Sequence, residues 1–160
     1  MRFEEFATAR SPALLRYAML LAGEREEARD IVQEVLTRAL VKWSRIERVE
    51  EPYAYVRRMV TNEFLSLRRR RRVHTVPLTD VHDRPTYPQR SPGDGDALWR
   101  LLGTLPRQQR AVLVLRYYEE LTDDEIGQVL GCRAATVRGY VSRALATLRI
   151  DITSAEGVLS

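Results

Sequence analysis

This chain of 160 residues has one cysteine, two histidines, a single lysine and no long hydrophobic run, and each shortage closes off a class of explanation. With Cys132 alone, an internal disulfide is excluded and a cysteine-rich metal site lacks its other ligands. His74 and His82 stand in a proline-rich stretch without the carboxylate or cysteine company of a zinc site, so no metal and no cofactor is expected. The longest apolar runs, such as "YAMLLA" (17–22) and "AVLVL" (111–115), fall far below the roughly 18–20 residues of a membrane span. The opening "MRFEEFATARSP" has acidic residues where a signal peptide has a basic lead. A soluble cytoplasmic protein is expected. A Gly-rich phosphate loop, a serine-nucleophile motif and a helical histidine pair are all missing, so the chain is not expected to be an enzyme.

What is present is arginine, unevenly spread. Of 26 basic residues only Lys42 is lysine. Two explanations fit: arginine suits phosphate and base contacts, and a GC-rich genome gives the same bias. Residues 1–72 hold 16 basic and 11 acidic groups, whereas residues 96–160 hold 8 of each. The first half is therefore the better candidate for a nucleic-acid surface.

No strand-type alternation competes with helical spacing, which predicts an all-α fold. Residues 73–95 carry four of the seven prolines and read as a flexible linker between two small helical domains, 1–72 and 96–150, with a tail at 151–160. In the first domain, "SPALLRYAMLLAG" predicts a short helix with Ser11 as N-cap and Gly23 as stop. Ala28, Ile31, Val32, Val35, Leu36, Ala39, Leu40 and Trp43 then recur at helical spacing in one longer helix, and Pro52 opens another through the arginine run 68–72.

In the second domain, "DALWRLLGTL" ends near Pro106, and Val112, Leu113, Leu115 and Tyr118 form a core stripe in the next helix. Thr122 and Glu125 match a capping box, and Gly131 supplies a left-handed stop. Gly127 sits where close backbone approach is needed. A further helix from about Ala134 to Arg149 buries Val137, Tyr140, Val141, Ala144, Leu145 and Leu148. Its other side leaves Ala135, Thr136, Arg138, Gly139, Ser142, Arg143 and Arg149 outside. This is the pattern of a helix-turn-helix, whose second helix enters the major groove. Arg133, at the expected N-cap, is either a weak cap or a DNA contact. Gly139 either allows close approach to DNA or is simply tolerated.

Three further stretches carry a resemblance. "DIVQE" (30–34) resembles the region 2.2 signature of bacterial sigma factors, and "YAYVRRMVTNEFLSLRRR" (53–70) looks like the promoter-melting segment that follows it. "LPRQQRAVLVLRYYEELTDDEIGQVLGCRAATVRGYVSRALATLR" (105–149) is similar to region 4 throughout. The order and the linker resemble the extracytoplasmic-function (ECF) group, of an actinobacterial type.

The resemblance implies a chain that binds core RNA polymerase, through the largest-subunit clamp coiled coil and the beta subunit, and directs promoter recognition, strand opening and initiation. It also implies an anti-sigma factor as a possible partner. By the same resemblance Asp30, Gln33, Glu34, Thr37 and Arg38 contact polymerase. Tyr55, Arg57, Arg58, Thr61, Asn62 and Arg68, Arg69 and Arg70 hold the minus-ten strand, with Tyr55 either a stacking surface or core. The loop "RIERVEE" (45–51) captures a flipped base, and Arg133, Ala135, Thr136, Arg138, Gly139, Ser142 and Arg143 meet the minus-thirty-five duplex. A repressor or a recombinase fragment with the same helix-turn-helix is the alternative, and neither would need polymerase.

Overall fold

The structure, a computed structural model, describes residues 1–74 and 100–159, with side chains described for 1–66 and 100–149. The expected linker from residue 75 on, His82 and the start of the helix placed before Pro106 lie outside the described residues. Among the described residues every regular element is helical. The chain divides into two compact units, Met1–His82 and Asp83–Ser160.

The first unit contains α1 (Phe3–Ala22), α2 (Arg25–Val41), the single turn α3 (Trp43–Ile46) and α4 (Pro52–His74). Helix α1 begins eight residues before the expected Ser11 cap and runs straight through Pro12. A proline inside a helix removes one backbone hydrogen bond and costs about 3 kcal/mol. Here Pro12 and Thr8, whose carbonyl loses its partner, are both exposed, so water can satisfy that oxygen. Continuation is favoured by Phe3 and Phe6, whose rings lie 5.7 and 5.0 Å from that of Trp43. The Trp43 indole N–H also donates to the Met1 carbonyl at 3.0 Å. Gly23 ends α1 as expected, at φ 74°.

Trp43 stands outside α2, which stops at Val41, and begins α3 instead. Leu40 is 52% exposed and leaves the core. The buried stripe of α2 is centred on Ala28, Val35 and Ala39, and Leu40 lies roughly 100° further round the helix. Helix α4 opens at Pro52 and closes the core with Val56, Val60 and Phe64. It extends to His74, so the linker cannot begin at residue 73.

In the second unit, residues 100–103 are helical and lead to α5 (Arg107–Leu113), whose last turns widen into a π-helical segment, Val114–Tyr118. There Glu119 N–H reaches back to the Val114 carbonyl at 3.1 Å. The wide turn shifts the helical phase. Val112, Leu113 and Leu115 are buried as expected, but Tyr118 is turned outward and 48% exposed. Helices α6 (Asp123–Leu130) and α7 (Ala134–Leu159) follow, and α5 and α6 both pack on α7. Helix α7 continues through the expected tail, ten residues beyond Arg149.

Candidate nucleic-acid interface

The turn between α6 and α7 is built by short-range chemistry. The Thr122 hydroxyl accepts from Glu125 N–H at 3.2 Å, and the Glu125 carboxylate accepts from Thr122 N–H at 3.0 Å. This capping box satisfies two helix-end donors and contributes about 1 kcal/mol. At the other end Gly131 adopts φ 72°, and Cys132 N–H closes back on the Gly127 carbonyl at 2.9 Å. Gly127 is buried against this turn. A Cβ there would lie 2.5 Å from the Cys132 carbonyl oxygen, so the close approach is to the turn itself rather than to α7.

Helix α7 presents the expected outer face: Ala135, Thr136, Arg138, Ser142 and Arg143 are exposed and Gly139 is half-buried. The Arg143 guanidinium leans over the Tyr140 ring, 5.2 Å from its centroid. At Gly139 an added Cβ would meet only that guanidinium, at 3.5 Å, so packing within the protein does not require glycine. Arg133 is exposed just before the helix, and its carbonyl accepts from Val137. A network that the sequence did not reveal ties this face to the rest of the unit. Asp123 pairs with Arg116 and also lies 3.8 Å from Arg138 of α7. No local pattern joins these three residues.

On the first unit, Asp30, Gln33, Glu34 and Thr37 all lie exposed on α2. Arg38 is committed inward: it donates to Glu63 at 2.8 Å and pairs with Glu34 at 3.0 Å, and the Glu63 side chain is only 4% exposed. On α4, Arg58 and Asn62 are exposed one turn apart, while Tyr55 and Arg57 are half-buried. Thr61 is a correction. It is fully buried and hydrogen-bonded to the Tyr17 hydroxyl at 2.6 Å and to the Arg57 carbonyl, so its side chain faces α1 and cannot contact DNA. Arg68, Arg69 and Arg70 belong to the α4 backbone, and their side chains lie outside the described residues. In the 45–51 segment Ile46 is buried, and Arg45, Glu47, Arg48, Glu50 and Glu51 are exposed.

Comparison with known proteins decides between the readings. Residues 6–73 match the family model "Sigma-70 region 2", and residues 95–148 match "Sigma-70, region 4". RNA polymerase sigma-E factor of Streptomyces coelicolor is 33% identical over 155 residues, 96% of this chain and 88% of that protein. The chain belongs to the sigma-70 family. Within it, this sigma factor is of the ECF type: ECF RNA polymerase sigma factor ShbA of Streptomyces griseus is 32% identical over 154 residues, 86% of this chain and 81% of that one. The solved structure of the sigma factor RpoE of Bartonella quintana, in complex with the anti-sigma factor NepR, matches with a TM-score of 0.72. Its sequence identity is 25%, and the match covers 94% of this chain and 96% of that one. As a sigma factor with both regions, the chain directs transcription initiation, with core RNA polymerase and promoter DNA as partners. That sets aside the repressor and recombinase alternatives. Among the described residues no helix is long and apolar enough to cross a membrane.

Proposed function

We propose that this sigma factor divides its work among three separate faces. The exposed side of α2, Asp30, Gln33, Glu34 and Thr37, docks on the clamp coiled coil of the largest polymerase subunit, with Arg38 holding that side in place from within. The outer face of α4, with Tyr55, Arg57, Arg58, Asn62 and Arg68 to Arg70, holds the opened minus-ten strand. Arginines fix phosphates, and Asn62 hydrogen-bonds a base edge. The second unit lays α7 in the major groove of the minus-thirty-five duplex and contacts the beta subunit. The 45–51 segment takes a base flipped from the stack. In this reading the unit that ends with α4 works as one domain and the unit that holds α5 to α7 as the other. The chain adds specificity in the cytoplasm and lends no catalytic group, and an anti-sigma protein restrains it, as NepR is seen bound to RpoE.

The observation that carries this reading is the placement of two exposed polar faces on two helices of one small unit: Asp30, Gln33, Glu34 and Thr37 on α2, Arg58 and Asn62 on α4. A protein that only docked on duplex DNA would need neither. Asp30→Ala combined with Gln33→Ala should weaken binding to core polymerase by tenfold or more, on the order of 1–2 kcal/mol, without changing thermal stability, because both side chains are exposed. Titration of labelled chain with core polymerase measures it. Unchanged affinity in the folded double variant would remove the α2 face from the interface.

A further inference from the structure

Asp123 opens α6, and its carboxylate divides its two oxygens between arginines of two other elements. Oδ1 accepts from Arg116, in the π-helical segment before the turn, and Oδ2 faces Arg138 of α7 at 3.8 Å. The first contact is a hydrogen-bonded pair that fixes the carboxylate. The second is longer than a hydrogen bond, so it attracts the Arg138 guanidinium without consuming any of its N–H donors. Arg138 accordingly keeps 62% of its side chain in water, against 21% for Asp123. An acidic residue at a helix start complements the helix dipole, but Asp124 and Glu125 already supply that charge in the first turn of α6. A carboxylate beside a DNA-binding face also repels phosphates. Arg116 removes that objection, since two cations around one anion leave the cluster positive.

Arg138 precedes the buried Val141 by one turn and so lies on the border between the exposed face of α7 and its buried side. A side chain of α6 reaches it there while its guanidinium stays in solvent. Arg143 lies roughly 140° further round the helix. Its neighbour, the Tyr140 ring at 5.2 Å, belongs to α7 itself. The two arginines are thus oriented by different chemistry, one by its own helix and the other by the neighbouring helix, through a carboxylate that Arg116 holds in turn. We infer that Asp123, fixed by Arg116, is a positioning residue for Arg138, narrowing the orientations of its guanidinium to those that meet one base edge of the duplex. A long side chain that enters the groove already oriented loses less freedom on binding and adapts to fewer wrong bases. The inference rests on the groove-docking role proposed for α7.

The test uses the full chain bound to core polymerase and a pool of duplexes randomised in sequence, with the selected fraction sequenced and thermal unfolding run alongside. Arg138→Ala should reduce the preference at one base position of the upstream element by about tenfold. Asp123→Asn should lower the preference at that same position by about three- to fivefold, the upper range for an exposed ion pair, and spare the position affected by Arg143→Ala. Removing a negative charge beside the groove raises affinity for every duplex alike, so the ratio between bases separates positioning from attraction. Added to Arg138→Ala, Asp123→Asn should have no further effect at that position. Arg116→Gln should lower the same preference, because the freed carboxylate then closes on Arg138 and competes with the base. It carries the test if Asp123→Asn does not fold. An unchanged preference in the folded variant overturns the inference. So does a loss spread over all upstream positions, which is what a carboxylate serving only to start α6 or to staple it to Arg116 would give. If Arg138→Ala lowers a preference and Asp123→Asn does not, the inference fails and the role of α7 stands. If Arg138→Ala lowers none, the base contact of Arg138 fails and the inference with it.

Discussion

Arg38→Ala should destabilise the first unit by roughly 3 kcal/mol, although Arg38 follows the polymerase-binding motif in sequence and would otherwise be taken for a contact residue. Its guanidinium pairs with Glu63, a carboxylate in α4 whose side chain is almost fully buried. Breaking a buried ion pair by removing one member costs about 3–5 kcal/mol, because the remaining charge stays desolvated. The low end applies here, since Arg38 itself keeps 39% of its side chain in water. By contrast, Glu34→Ala removes only an exposed pair one helical turn away, worth about 0.3–0.5 kcal/mol. Urea unfolding of the two variants would separate these effects. Equal, small losses would mean that Glu63 finds adequate solvation without Arg38. A binding assay alone would misread Arg38→Ala as a lost polymerase contact.

Gly127→Val should abolish selective binding to duplex DNA and lower the stability of the second unit by about 1–3 kcal/mol. The first side-chain carbon would already meet the Cys132 carbonyl oxygen at 2.5 Å, and the obstacle is backbone, which cannot swing aside. Valine adds two methyl groups beyond that carbon. To make room, the turn that sets α7 against α6 must open, and the face carrying Arg138 and Arg143 moves with it. Gly139→Val is a useful comparison: its near neighbour is the flexible Arg143 guanidinium, so strain is small and the main cost is helix propensity. Circular dichroism melts and electrophoretic mobility shifts on a minus-thirty-five duplex would measure both. Retained selectivity in Gly127→Val would show that the turn can relax without moving the recognition face.

Much of this was legible because it rests on neighbours in sequence. The capping box spans four residues, Gly131 answers a local backbone demand, and Pro52 opens a helix by its fixed φ. The features that escaped rest on distant partners. Ser11 and Pro12 look like a helix start, yet Phe3 and Phe6 extend α1 because Trp43, some forty residues on, receives their rings. Thr61 resembles its exposed neighbours Arg58 and Asn62, and only the hydroxyl of Tyr17 in α1 explains its burial. Tyr118 obeys the helical spacing of Val112 and Leu115, but the widened turn at Val114–Tyr118 breaks the count.

The division of labour between the two units is tested most directly by permanganate reactivity of promoter thymines, with protection of the upstream element read in parallel, in the complex of core polymerase with the full chain. Wild type should protect the minus-thirty-five duplex and expose thymines of the minus-ten element. Asn62→Ala should keep the upstream protection and lose most of the thymine reactivity, on the order of tenfold if one base contact worth about 1–3 kcal/mol is removed. Arg138→Ala with Arg143→Ala should lose the upstream protection first. Full opening by the Asn62 variant, or undiminished upstream protection by the double arginine variant, would contradict the assignment of strand opening to α4 and duplex docking to α7.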